Sequence, residues 1–502
     1  MKAFYNKSIF ILIMLCLAVS SCTDDFEEIN TNPNEPEKIS NPGLLLPGII
    51  RSVADRTYNG AWNRGNIVAD YGADQFVSAF DWSPADAQGY FLWDHYSRLR
   101  DVMGMYDLAV ENDLKNYQGI GLVIKAFLFQ AMTDIYGDIP YSEAIKAKTD
   151  NINFPKYDTQ EEIYNGILAD LTEANNLLST SNEAVSGDIL FNGDVMRWKK
   201  FANSLTLRCL LRISDRKDPS AQMAQIVSNP TLYPIFTGFE EQAALQYLNQ
   251  LGNEFPRYRG NGFGESASQT MVNILKDLND TRLSVFAQPT FATAGGANPE
   301  YVGVPNGISD ESTFNGGTEH QSLPGLLWAP TNASPDFASP TAVQTLLMTY
   351  GELQLILAEA AERGFISGDP EAYYRAGIQS QFDYYASRIP ANYTFPKATD
   401  VQPDAAYFTQ DAVAYTGTKE EKLNKIWLQK WIALYNCGFE GWSEWRRTNV
   451  PTITPGPNSL GFVPVRMIYP LSEQNTNREN YDAAVAVQGP DNTQTHVWWD
   501  AN

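Results

Sequence analysis

Histidine is scarce in this chain. His95, His320 and His496 are the three among 502 residues, and they are scattered without metal-ligand spacing. No His-Glu-x-x-His, no phosphate-binding Gly-x-x-x-x-Gly-Lys and no Gly-x-Ser-x-Gly elbow is present. Gly260-Asn261-Gly262-Phe263-Gly264 is glycine-rich, but it has the wrong spacing for a dinucleotide loop and follows no predicted strand. Positive charge is in deficit, with 36 Lys+Arg against 59 Asp+Glu and a net charge of −23. A nucleic-acid partner needs a basic footprint, and so does adhesion to anionic lipid; neither fits this balance. Past the first 21 residues no apolar run is long enough to span a bilayer.

What is present begins at the N-terminus. Lys2 and Lys7 precede an apolar run from Ile9 to Val19, followed by Ser20-Ser21-Cys22. Eleven apolar residues are too few to cross a membrane as a helix and suit the apolar region of a secretory signal. A cysteine directly after small residues is the pattern of a lipobox. The expected cut falls between Ser21 and Cys22, with Cys22 carrying the lipid. Cys16 is a poor rival because Leu15 precedes it. The alternative is an ordinary secretory signal with a chance cysteine. Asp24, Asp25, Glu27 and Glu28 then form either a solvated tether or a stretch similar to the surface-export signal of certain Gram-negative lipoproteins. The expected organisation is a signal peptide over 1–21, a lipidated tether over 22–42 with Pro33, Pro36 and Pro42, and one domain over 43–502. Of the remaining cysteines, Cys209 and Cys437 read as two buried thiols in helices, with a disulfide as the alternative.

Helical periodicity dominates the domain. Leu92, Tyr96, Leu99, Met103 and Tyr106 share one predicted face. From Leu122 to Ile135 the chain is apolar nearly all round, which predicts a central buried helix ending at Gly137 in a left-handed cap, with Pro140 beyond. Thr159-Gln160-Glu161-Glu162 has capping-box spacing and opens a stripe of Ile163, Ile167, Leu171, Ala174 and Leu178. Trp198, Phe201, Leu205 and Cys209 form the next stripe, so these two helices make a hairpin. A second hairpin is expected from Leu346, Tyr350, Leu353, Leu357 and Ala360, ending at Gly364 before Asp369-Pro370. A last strong helix runs near 420–435 with Leu423, Trp427, Trp431 and Leu434 inward. The fold class is therefore mainly α, a tetratricopeptide-like superhelix of helical hairpins. Between about 250 and 340 Gly, Asn, Pro and Thr become frequent, which predicts an irregular, loop-rich insertion.

Landmarks accumulate in a fixed order: Phe26-Glu27-Glu28-Ile29-Asn30-Thr31-Asn32-Pro33-Asn34, Asp134-Ile135-Tyr136-Gly137-Asp138-Ile139-Pro140-Tyr141-Ser142-Glu143-Ala144, Pro155-Lys156-Tyr157-Asp158, Trp198-Lys199-Lys200-Phe201-Ala202-Asn203-Ser204-Leu205, Leu357-Ala358-Glu359-Ala360, Gln429-Lys430-Trp431, Glu440-Gly441-Trp442-Ser443-Glu444-Trp445-Arg446-Arg447-Thr448, Arg466-Met467-Ile468-Tyr469-Pro470 and Trp498-Trp499-Asp500. Together they resemble a SusD/RagB-type outer-membrane nutrient-binding lipoprotein of the SusD-like second subfamily, over nearly the whole mature chain. The resemblance implies a helical lid on a TonB-dependent β-barrel transporter of the SusC type. It implies capture of oligomeric nutrient, often glycan and sometimes peptide, with no cofactor and no chemistry on the ligand. The landmarks themselves read as structural. Arg446 and Arg447 beside Glu440 and Glu444 are expected to form an ion-paired network under Trp442 and Trp445.

Sugar rings present apolar CH faces and polar rims, so a site wants exposed aromatic platforms beside polar groups. Trp198, Trp427 and Trp431 read as core, and Trp93 and Tyr96 as core by preference. The loop candidates for ligand contact are Trp82, Trp328, the group Tyr258, Arg259 and Asn261, and, more weakly, Trp62. A surface hydrolase is the weaker enzyme alternative. Glu440 and Glu444 sit at i, i+4, yet Arg446 and Arg447 would hold both ionised, which is wrong for a general acid. A purely structural scaffold is the third class.

Overall fold

Apolar residues recurring every three or four positions, closed by Thr and Asp caps, set the architecture. A computed structural model describes residues 41–74, 92–257, 265–308, 310–328, 339–393, 395–456 and 461–502. The chain divides into Met1–Pro42 and Gly43–Asn502. Cys22 and the expected signal and tether, up to residue 40, lie outside the described residues.

The principal helices of the body are α1 (Leu46–Gly60), α2 (His95–Glu111), α3 (Lys115–Tyr136), α4 (Gln160–Leu177), α5 (Val195–Arg212), α6 (Ser220–Ser228), α7 (Gln269–Asp277), α8 (Tyr350–Arg363), α9 (Pro370–Arg388), α10 (Lys419–Ala433), α11 (Glu440–Thr448) and α12 (Arg478–Gln488). Consecutive helices pack as hairpins: α2 with α3, α3 with α4, α4 with α5, and α8 with α9. Helix α5 also meets α8, which joins the N-terminal and C-terminal hairpins. Strands are few. β1 (Gly72–Asp74) pairs antiparallel with β3 (Glu265–Ala267), and β2 (Ala243–Gln246) with β4 (Gln344–Met348).

Side-chain caps begin most of the long helices. Thr159 accepts from the Glu162 N–H while Glu162 accepts from the Thr159 N–H, completing the expected capping box of α4. Thr418 and Glu421 repeat the device at α10, and Asp194, Thr349 and Asp369 cap α5, α8 and α9. Each such cap is worth about 1 kcal/mol. Helix α3 is the expected central one: all its residues except Lys115, Lys125 and Ala131 are buried, between α2, α4 and α5. Among the described residues it alone is long and apolar enough to cross a membrane, and here it is core.

Several local expectations need correction. Leu346 lies in β4, because Thr349 caps α8 after it. The buried face of α2 is Leu99, Val102, Met105, Leu108 and Ala109, rotated from the predicted stripe. Gly137 has a positive φ of 83° but ψ of −121°, outside the left-handed helical region; a Cβ there would strike the Gln488 carboxamide. Leu423 and Trp427 are only partly buried, whereas Trp431 and Leu434 are core. Cys209 and Cys437 are free and buried, and burial pushes both thiols up.

An ionic network runs through the helical core. Arg208 of α5 grips Glu352 of α8 at 2.6 and 2.7 Å. Arg447 of α11 grips Glu359 of α8 at 2.7 and 2.6 Å and reaches Glu444 at 2.6 Å, while Lys430 of α10 pairs with Glu444 at 3.0 Å. Glu440 accepts instead from Arg212 and Gln130. Arg446 departs from the expected network. It donates to the Val465 carbonyl and Ser443 Oγ and lies between the rings of Trp442, 3.8 Å away, and Trp499, 4.7 Å away. Burial alone would raise Glu444, but Arg447 and Lys430 override it and hold the carboxyl well below its ordinary range. Glu440 is likewise lowered, with Arg208 and Arg212 overcoming burial.

Candidate functional site

Four of the loop candidates, Trp82, Tyr258, Arg259 and Asn261, lie outside the described residues. The other two are placed, and neither is an exposed platform. Trp62 is 3 % exposed and belongs to a π-helical turn, Ala61–Gly65, that continues α1. Its ring stacks on Tyr58 with 6.4 Å between centroids, and the Arg257 guanidinium lies 4.7 Å from its centre. Trp328 is 4 % exposed. A turn from Gly325 carries it edge-on against Tyr435 at 5.2 Å and beside Phe286 and Tyr385. Both rings therefore act as walls behind a surface.

The described flanks of the candidate segments nevertheless gather in one place. Asp74 is in register with Glu265, so segments 75–91 and 258–264 both join the body at the same end of the β1–β3 pair. Leu92, which follows the first segment, packs beside Gly60, two residues before Trp62. Arg257, which precedes the second, covers the Trp62 ring. Trp328 precedes residues 329–338 and touches Tyr435, which meets Tyr71 at the entry to β1 with 5.5 Å between centroids. Leu92 and Arg257, far apart in sequence, thus meet at the end of α1. Two buried donors there, Tyr58 Oη and Trp62 Nε1, have no hydrogen-bond partner among the described residues. Burial pushes the Tyr58 phenol up, so it keeps its proton. The arrangement offers buried aromatic walls beneath the points where segments 75–91 and 258–264 join the body.

A cleft of about 420 Å³ opens nearby in sequence, along one face of α2 and the residues preceding it. Trp93, Tyr96, Ser97 and Arg100 line one side, and Pro140, Ala144 and Pro155 the other. Trp93 and Tyr96, assigned to core from sequence, are only partly buried here. Tyr96 donates to the Pro140 carbonyl, so the Ile139-Pro140 landmark fixes the cleft wall. Their spacing at i, i+3, i+4 and i+7 was the available signal. Among the described residues no group of three or more His, Cys, Asp or Glu could hold a metal ion. The Glu440 and Glu444 pair, both held ionised by arginines, supplies no general acid.

Stacked helical hairpins place the chain in the class of mainly helical, tetratricopeptide-like proteins. The chain belongs to the SusD-like family: the family model described as starch-binding associating with outer membrane matches residues 33–470. An outer-membrane protein of Bacteroides vulgatus ATCC 8482 linked to nutrient binding is 29% identical, with a TM-score of 0.79 over 92% of this chain and 100% of that one. A SusD homolog of Bacteroides fragilis NCTC 9343 is 26% identical, with a TM-score of 0.77 over 92% and 99%. A chitin-binding SusD homolog of Flavobacterium johnsoniae is 25% identical, with a TM-score of 0.69 over 91% and 99%. Among curated proteins no match is found. The chain is an outer-membrane-associated nutrient-binding protein with a mainly helical, tetratricopeptide-like fold.

Proposed function

We propose that the protein is a lipid-anchored cell-surface receptor that captures oligomeric glycan and delivers it to a TonB-dependent SusC-like barrel. Cys22 carries the lipid, and no bond in the ligand is broken. Trp82, Tyr258, Arg259 and Asn261 contact the sugar, with Trp62 and Trp328 as the walls behind them. The observation that carries this reading is that segments 75–91 and 258–264 enter the body at the same end of the β1–β3 pair, with Arg257 over the Trp62 ring. Glycan is favoured over peptide by the chitin-binding relatives. Calorimetric titration with neutral oligosaccharides, including chito- and malto-oligomers, and with short peptides tests it. Saccharide binding lost in Trp82→Ala at unchanged thermal stability is expected. Peptide binding alone, or release of reducing ends from the saccharide, would overturn the reading.

A further inference from the structure

A second cleft, of about 350 Å³, lies among α4, α5 and α6. It stands apart in composition. In a chain of net charge −23, no acidic or basic side chain lines it. Its floor is apolar, with Leu171 and Ile226, and its polar groups are amides, hydroxyls and the Tyr233 phenol. Two of the amides are nearly inaccessible: Asn175 is 5 % exposed and Asn203 is 2 % exposed.

The hydrogen bonds of this asparagine pair fix which way each amide points. Asn203 Nδ2 donates to the Pro234 carbonyl at 2.9 Å, and a carbonyl accepts only. The nitrogen of Asn203 therefore faces Pro234. The same nitrogen donates to Asn175 Oδ1 at 2.9 Å, which sets Asn175 as well. Left over are the Asn175 amide N–H groups and the Asn203 carbonyl oxygen, donors and an acceptor on two packed helices. Both residues line the cleft, and neither atom bonds another of the described residues. Gln225 donates to Tyr233 Oη at 2.9 Å, so the phenol proton is also free to donate.

We propose that this cleft is a second saccharide site, selective for an uncharged sugar unit. Vicinal hydroxyls of a sugar ring each donate and accept, which matches the donor and acceptor of the asparagine pair. The CH face rests on Leu171 and Ile226. The volume falls within the roughly 300–1,000 Å³ usual for small-ligand sites. A uronate or sulfated sugar would find no cation here to offset its desolvation. The inference rests on the glycan reading above, but on different residues.

Asn203→Leu is the obvious variant, but it also strips the bond to Pro234 and threatens the fold. Gln222→Trp, at the half-buried rim of α6, fills the cleft from outside. The test is calorimetry and hydrogen–deuterium exchange on the full mature lipoprotein in detergent, with neutral chito- and malto-oligomers, glucuronate and acetyl-trialanine amide as probes. Neutral oligomers should protect α4, α5 and α6 from exchange, and glucuronate should not. Gln222→Trp should remove that protection and weaken the cleft component at least tenfold, leaving Trp82-dependent binding unchanged. Saccharide binding that never protects these helices overturns the cleft site alone. Failure of every neutral sugar to bind overturns it together with the glycan reading. Protection by acetyl-trialanine amide in place of sugar overturns the ligand class.

Discussion

Asp70 shows how a single side chain links the sheet to pH. It follows α1 and its π-helical turn with a positive φ of 61°, and its carboxylate accepts from Thr270 Oγ1 and from Asn306 Nδ2. Burial raises its pKa to about 6, only partly opposed by those two bonds. Asp138, which accepts from the Gln160 N–H, is also raised to about 6 by burial. A carboxyl that binds its proton more tightly when folded favours folding at low pH, and that contribution is lost as pH rises from about 4 through 6. Glu444 has the opposite sign. Its contribution is complete above its unfolded value and is lost only as pH falls below about 4.5. Asp70→Asn removes the first effect without changing shape, and asparagine tolerates positive φ. Thermal melts should show the variant at least as stable as wild type at pH 7.5, with a flatter profile between pH 4 and 6. A variant several degrees less stable at pH 7.5 would mean that the bonds from Thr270 and Asn306 stabilise the ionised carboxylate by more than burial costs it.

At the scale of helices, buried ion pairs join the C-terminal elements to the N-terminal ones within a shared apolar core. Arg208 and Glu352 bridge α5 to α8, and Arg447 bridges α11 to α8 through Glu359. These groups are almost wholly buried. Removing one member strands its partner in a low-dielectric interior, at a cost of about 3–5 kcal/mol. Arg447→Met should therefore destabilise the fold by that amount in chemical denaturation, since Glu359 and Glu444 both lose their main counterion. A Glu359→Gln, Arg447→Met double variant should recover part of the loss, because it buries one fewer unpaired carboxylate. Equal losses in single and double variants would show that the pairing does not set the energy.

How far the sequence could be read follows the same division between local and distant interactions. The caps at Thr159 and Asp369 were legible because donor and acceptor lie within four residues. So was α3, whose apolar residues leave no solvent face. The Glu444–Arg447 pair is local and was anticipated, whereas Arg446 was not, since its second ring, Trp499, comes from the C-terminal end of the chain. Trp62 looked like a loop platform because it lies between Asn59 and Arg64, and Trp328 because Pro324, Gly325 and Pro330 surround it. Their burial is decided by Tyr58, Arg257, Phe286, Tyr385 and Tyr435, partners that no local pattern names. The asparagine pair of the second cleft was invisible for the same reason: Asn175 and Asn203 meet only after α4 and α5 pack.

For the molecule as a whole, charge constrains how it stays at a membrane. A net charge of −23 opposes adsorption to anionic headgroups, so electrostatics cannot retain it. Helix α3 is apolar enough to span but is consumed by the core. On the function proposed above, retention falls to acyl chains on Cys22 or to the barrel, and the two respond differently to treatment. A single acyl chain holds a protein only marginally, so stable anchoring needs more than one. In cells that lack the partner barrel, the wild-type protein should incorporate labelled palmitate, resist a high-salt wash and leave the membrane only with detergent. Cys22→Ser should lose the label and pass to the soluble fraction, with the body still folded by circular dichroism. Protease added to intact cells should cut the wild-type protein if it faces outward. Membrane retention of an unlabelled Cys22→Ser protein would move the anchor from the lipid to some other contact, and a body untouched by protease until the envelope is broken would place it on the inner side.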